Sequence, residues 1–309
     1  MSMHFRDLAQ QAAADGAITP DEILALRRAG WSDGRIEPEE AEAIFAINNA
    51  VADATPEWAD FFVQALSEYV INAAEPRGYV TEAQGEWLIA HLDRDGRLES
   101  MAELELLAKV LDKAMNAPER LKSYAIQQIE RTVLTGEGPT RGGGSLEAGR
   151  VTEAEARLLR RVIFAQAGDR PAAVSRSEAE MLFRIKDAAL AADNAPEWKR
   201  LFVQGVGNYL QGFGGADPLT RERAAELEAF MNDSAVRIGG FFGRMAGSAM
   251  NGRLAKGFGR NGAAHDVFAE AAAAREVTGE EKGWLQSRID ADGQLDEYEQ
   301  ALLEFLAAE

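Results

Sequence analysis

The chain of 309 residues is long enough for two domains, and its 46% hydrophobic and 27% charged residues are typical of a globular protein. It contains no cysteine, which excludes disulfide bonds, thiolate catalysis and cysteine-ligated metal centres, and its three histidines are scattered along the sequence. A formal net charge of −18 disfavours nucleic acid as a partner and favours cations or basic proteins.

The predicted elements are helices from the first residues onward. Apolar residues recur at helical spacing over residues 39–51, 61–70 and 103–111, and Thr55 followed by Pro56 is typical of a helix start. No stretch alternates in the manner of a strand, so the sequence predicts an all-α fold. The N-terminal residues lack the pattern of a signal peptide, and no stretch approaches the ~20 apolar residues of a membrane span, so we expect a cytoplasmic protein.

Two pairs of segments in the chain resemble each other. Residues 53–70 align with residues 193–210 at an offset of 140, and residues 79–98 align with residues 276–295 at an offset of 197. An internal repeat of this kind indicates that one structural unit occurs twice. The larger second offset places an insertion between the two matched segments of the second copy.

We therefore predict two tandem helical-bundle domains related by the repeat. The first copy covers residues 1–140, a Gly-rich linker covers residues 141–150, and the second copy covers residues 151–309. The second copy is interrupted by the insertion at about residues 211–275, which is rich in glycine and basic residues.

Acidic turns of the form Asp-Gly-x-(Ile/Leu) recur between the predicted helices, and they resemble the calcium loop of an EF-hand. With Gly293 at position 6 of such a loop, acids occupy positions 3, 5, 9 and 12, while Arg288 takes position 1, where a carboxylate is expected. With Gly96 at position 6, acids occupy positions 3, 5 and 9. One hypothesis is therefore weak Ca²⁺ binding at one or both turns. Its candidate ligands are Asp290, Asp292, Asp296 and Glu299 in the later turn and Asp93, Asp95 and Glu99 in the earlier one.

Helix capping explains the same turns without a metal. In a capping box, a Ser or Thr and a Glu or Gln three residues later satisfy each other's backbone N–H groups at a helix start. Five such pairs are present: Thr19/Glu22, Thr81/Gln84, Thr152/Glu155, Ser175/Glu178 and Thr278/Glu281. The sequence leaves both interpretations open.

Helical units that open with Ala-Asp-Gly-x-(Ile/Leu)-x-x-x-Glu resemble the TerB-like (tellurite-resistance) superfamily. The segments that carry the resemblance are residues 14–22 and 291–299, with residues 32–40 a close variant. The resemblance implies an all-helical protein with a binding role in stress response, metal sensing or membrane-proximal complexes, and not a catalytic role.

Residues 234–265 contrast with the rest of the chain, because they contain five basic residues and no acidic one. They form either a linker neutralised by the protein's own acidic surface or a docking segment for a partner or an anionic membrane surface. The candidate docking residues are Arg237, Phe241, Phe242, Arg244, Arg253 and Phe258.

These patterns favour a non-enzymatic acidic binding module that responds to divalent metal. The alternative is a purely structural scaffold for protein–protein interaction, in which the acidic turns are caps and metal has no role. A hydrolytic enzyme is a third possibility, but the sequence contains no nucleophile elbow, phosphate loop or dinucleotide-binding glycine pattern.

Overall fold

The structure is a computed structural model. It describes residues 5, 7, 9–11, 16–30, 35–51, 54–74, 77–93, 98–141, 148–167, 173–211, 279–290 and 295–308. Within these ranges the protein is all-α, as predicted, with no β-strand and one isolated bridge between Tyr79 and Asn116.

The described helices are α1 (Pro20–Gly30), α2 (Pro38–Ala50), α3 (Pro56–Asn72), α4 (Glu82–Leu92), α5 (Met101–Lys113), α6 (Glu119–Thr135), a 3₁₀ helix (Pro139–Arg141), α7 (Glu153–Ile163), α8 (Arg176–Ala189), α9 (Pro196–Leu210), α10 (Gly279–Ile289) and α11 (Glu297–Ala308). The helices predicted over residues 39–51, 61–70 and 103–111 are confirmed as α2, α3 and α5.

Most helix starts are fixed by local capping. Four of the five predicted capping boxes are present, at Thr19, Thr81, Thr152 and Ser175, and Thr278 lies outside the described residues. Two more boxes pair Glu37 with Glu40 and Ser100 with Glu103. The acid of a box is often buried: Glu40, Glu103, Glu155 and Glu178 are each at most 5% exposed. These turns therefore place carboxylates inside the protein.

The chain divides into two compact units. The first comprises residues 1–150 and 157–171, and the second comprises residues 151–156 and 172–309. Helix α7 thus contributes its beginning to the second unit and its remainder to the first, whereas the sequence-based boundaries place all of it in the second domain.

The first unit is built around α3. This helix packs most extensively against α5 and also contacts α1, α2 and α4. Its side chains Trp58, Phe61, Phe62 and Leu66 are fully buried, and they form the centre of the core.

The second unit is built around α9, which packs against α8 and α11. Trp198 and Phe202 of α9 are fully buried, as is Leu302 of α11. A Cβ atom added at Gly207 would lie 2.5 Å from Cε1 of Phe305, so the Phe305 ring would have to move if a larger residue replaced this glycine.

An aromatic cluster of similar geometry lies in each unit. In the first unit, the ring of Phe45 is 5.5 Å from Phe62 and 5.6 Å from Trp87, which is 5.1 Å from Tyr69. The cluster of the second unit comprises Phe183, Phe202, Trp284 and Tyr209, with corresponding distances of 5.1, 5.5 and 5.0 Å. Trp58, Trp198 and Trp284 are buried and belong to the cores of the two units.

Candidate functional site

A buried lysine with three carboxylates lies in the second unit. Lys186 belongs to α8, and only 1% of this residue is exposed. Its Nζ atom is 2.6 Å from Oδ2 of Asp296, 2.7 Å from Oε1 of Glu299 and 2.8 Å from Oδ1 of Asp187. We call these four residues the Lys186 cluster.

Two of the carboxylates also cap α11. Oδ1 of Asp296 accepts hydrogen bonds from the backbone N–H groups of Tyr298 and Glu299, at 2.8 and 2.9 Å. In return, Oε2 of Glu299 accepts a hydrogen bond from the backbone N–H of Asp296 at 3.1 Å. Each carboxylate therefore uses one oxygen for the helix start and the other for the Lys186 ammonium.

The carboxylates keep Lys186 charged. Burial by itself lowers the pKa of this ammonium, but hydrogen bonds to Asp187, Asp296 and Glu299 outweigh burial and raise the pKa above its ordinary value of 10.5. An amine that remains protonated is not a nucleophile or a general base. Since Lys186 and Glu299 are also inaccessible to solvent, the cluster is suited to support the fold rather than to carry out chemistry.

The structure brings together only part of the predicted calcium ligands. Asp296 and Glu299 meet at Lys186, whereas Oδ1 of Asp290 accepts a hydrogen bond from Nε2 of Gln286 at 2.8 Å, at the end of α10. Asp292 lies outside the described residues. Among the residues that the structure describes, no three His, Asp or Glu side chains form a group that could hold a metal ion.

The described candidates of the earlier turn lie at the end of α4 and just before α5. Asp93 is exposed at the C-terminal end of α4, and its backbone N–H donates to the carbonyl of Ile89 at 2.7 Å. Glu99 is also exposed, and its backbone N–H donates to Oε2 of Glu103 at 2.8 Å. Asp95 lies outside the described residues.

Sequence reasoning missed Lys186 and Asp187. The available signal is the position of Lys186 in its helix, because Leu182, Phe183, Ile185 and Ala189 around it are all buried. A lysine in the apolar register of a helix requires a partner charge, since an unpaired buried ammonium is strongly unfavourable.

The first unit contains a similar arrangement, with an amide in place of the ammonium. We call this arrangement and the Lys186 cluster the polar corners of the two units. Nδ2 of Asn48 donates to Oε1 of Glu103 at 3.3 Å, and Nε1 of Trp58 donates to Oδ1 of Asn48 at 3.2 Å. Glu103 also caps α5 through Ser100. A buried capping glutamate with a polar residue on a neighbouring helix is thus present in both units.

The predicted docking residues Arg237, Phe241, Phe242, Arg244, Arg253 and Phe258 lie outside the described residues. In the part of the chain that the structure describes, no helix is sufficiently long and apolar to cross a membrane. Comparisons with protein-family models, with curated proteins and with solved structures find no match to the chain.

Proposed function

We propose that the protein is a non-enzymatic, acidic interaction module whose acidic turns are structural. The observation that carries this proposal is the Lys186 cluster. Its ammonium lies on the carboxylates of Asp296 and Glu299, where the calcium hypothesis requires a metal ion. The interaction scaffold without metal is therefore the better supported of the two non-enzymatic functions that the sequence suggests.

Calcium would have to compete with the chain's own cation for this turn. Ca²⁺ takes six to eight oxygen ligands, and two of the four candidate residues already use both carboxylate oxygens for Lys186 and for capping α11. Displacing Lys186 would leave a buried ammonium without its partners, which is strongly unfavourable.

We further infer that the two units are copies of one helical unit. The offset of 140 relates Trp58, Phe62 and Tyr69 to Trp198, Phe202 and Tyr209, and the ring distances of the two aromatic clusters agree within 0.4 Å. A duplicated helical unit with an acidic surface is suited to binding protein partners. The resemblance to the TerB-like superfamily supports a binding role of this kind, and a stress-related setting is the corresponding hypothesis.

Basic protein segments are the partners that best complement the negative net charge of the chain. The chain carries a net charge of −18, and many carboxylates on its helix surfaces, such as Glu39, Glu57 and Asp60, are exposed. Opposite charge raises the rate of encounter and selects partners. The chain's own basic segment, residues 234–265, is a second docking element in this proposal.

Thermal melting with calcium or with a chelator tests the proposal. We expect the wild-type protein to melt at the same temperature in 10 mM Ca²⁺ and in EDTA, since no metal is needed. The test is sensitive, because a site with a Kd of ~10⁻⁴ M would add roughly 2.7 kcal/mol of stability at this concentration. A rise in melting temperature with calcium that disappears in Asp292→Asn, but persists in the control Asp193→Asn, would overturn the proposal.

A further inference from the structure

A surface cluster in the first unit combines a carboxylate with aromatic rings. Oε1 of Glu42, on α2, accepts a hydrogen bond from Nε1 of Trp87 at 2.9 Å, and Oε2 lies 2.8 Å from Nε2 of His91. The ring of Tyr69, on α3, also contacts Trp87, with ring centroids 5.1 Å apart. Three helices therefore contribute to one small face.

This face is accessible and acidic. The side chain of Glu42 is 54% exposed, Glu39 is exposed one turn earlier on α2, and Trp87 and Tyr69 are half-buried. Burial raises the pKa of the Tyr69 phenol, and the negative charges of Glu42, Glu39 and Glu37 raise it further. Glu37 is paired with Arg35 at 3.1 Å.

The second unit contains the same combination, with guanidinium groups on its carboxylate. Glu180 is the counterpart of Glu42, and Trp284 and Tyr209, with ring centroids 5.0 Å apart, are the counterparts of Trp87 and Tyr69. Oε1 of Glu180 accepts a hydrogen bond from Nε of Arg176 at 3.1 Å and lies 3.5 Å from a terminal nitrogen of Arg288. In the second unit, guanidinium groups of the chain itself thus pair with the carboxylate that corresponds to Glu42.

The first unit has no arginine at the two equivalent positions. The offset of 138 that relates Glu42 to Glu180 also relates Pro38 to Arg176, and the offset of 197 relates His91 to Arg288. The face nevertheless keeps the carboxylate and both rings and adds Glu39. Each oxygen of a carboxylate has two acceptor positions, so Glu42 can accept a further hydrogen bond beside those from Trp87 and His91.

We propose that the face formed by Glu39, Glu42, Tyr69 and Trp87 binds an arginine side chain of a basic partner segment. A guanidinium both donates to carboxylates and stacks on aromatic rings, whereas an ammonium is a hydrated point charge that gains less from the rings. This inference rests on the proposed function, because it names the partner chemistry of the interaction module.

The test uses the full-length protein labelled with 5-fluorotryptophan and two short peptides, acetyl-Arg-Gly-Arg-Gly-Arg amide and its lysine counterpart. Fluorine NMR follows the tryptophan signals, and the variant Trp87→Phe identifies the signal of Trp87. We expect the arginine peptide to shift this signal saturably and the lysine peptide to bind roughly two- to fivefold more weakly. Glu39→Gln should weaken arginine binding by a similar factor, and the matched control Asp193→Asn should not change it.

Equal affinity for the two peptides, an unchanged affinity in Glu39→Gln, or a shift of Trp284 in place of Trp87 would each overturn the assignment of this face. A calcium-dependent melting temperature would overturn the proposed function itself. If neither calcium nor the arginine peptide has an effect, only the assignment of the face fails, so the two failures are distinguishable.

Discussion

The polar corners of the two units use different hydrogen-bond donors for a buried glutamate. In each corner, a glutamate that caps a helix is buried and needs a hydrogen-bond donor. Asn48 supplies an amide to Glu103 in the first unit, and Lys186 supplies an ammonium to Glu299 in the second.

The type of donor determines which other polar groups can be satisfied around the glutamate. The carbonyl oxygen of Asn48 also accepts a hydrogen bond from the Trp58 indole, whereas Nε1 of Trp198 is buried without a hydrogen-bond partner among the described residues. An ammonium has no acceptor to offer. It is instead surrounded by three carboxylates, so the second corner depends on charge and the first on neutral hydrogen bonds.

This difference predicts that Lys186→Met is among the most destabilising changes. It leaves Asp296 and Glu299 buried without their cation, and breaking a buried pair on one side costs about 3–5 kcal/mol of the free energy of unfolding. Urea denaturation monitored by circular dichroism measures the loss.

The matched control is Lys199→Met, which removes the pair with Glu297 on the surface of the same unit. The two side chains of this pair are 40% and 67% exposed, so the expected loss is below about 1 kcal/mol. Equal losses for the two lysine variants would contradict a special role for burial.

Asn48→Ala probes the neutral corner and should have a smaller effect. It removes the acceptor of the buried Trp58 indole N–H and a donor to Glu103, and an unsatisfied buried polar group costs about 1–3 kcal/mol. The neighbouring exposed residue provides the control, since Asn49→Ala should stay within about 0.5 kcal/mol of wild type. A loss as large as that of Lys186→Met would show that the amide and the ammonium are equally critical.

The smallest effect is expected for Glu180→Gln, and it is a change in how the free energy of unfolding depends on pH. Burial raises the pKa of Glu180, but Arg176 and Arg288 outweigh it and hold the pKa below its ordinary value of 4.5. A carboxyl group with a lowered folded-state pKa contributes stability above its unfolded pKa and loses it as pH falls. The variant should therefore lose less stability than wild type between pH 6 and pH 3, by below about 1 kcal/mol. Urea denaturation at both pH values measures this, and Asp60→Asn should behave as wild type.

The helix starts could be predicted because their determinants are local. Thr81 and Gln84, or Ser175 and Glu178, lie three residues apart, so the pattern is visible in the sequence and the structure confirms it. The all-α class follows from the same periodicity.

The Lys186 cluster could not be predicted from spacing. Lys186 and Asp296 are separated by 110 residues, and the packing of α8 and α11 against α9 brings them together. The calcium template and the capping box also place their acids at overlapping positions, for Asp296 and Glu299 satisfy both. Spacing alone therefore left the two interpretations of this turn open.

The sequence separation of these contacts has a consequence for folding kinetics. Lys186 and Glu299 are 113 residues apart, whereas Asn48 and Glu103 are 55 residues apart. Each doubling of loop length adds about 0.6 kcal/mol to the entropic free-energy cost of closing a contact, so we expect the ion pairs of the second unit to form late in folding, after its local helices. Interactions that form so late slow unfolding more than they accelerate folding. The Lys186 cluster would then act chiefly on the lifetime of the folded second unit.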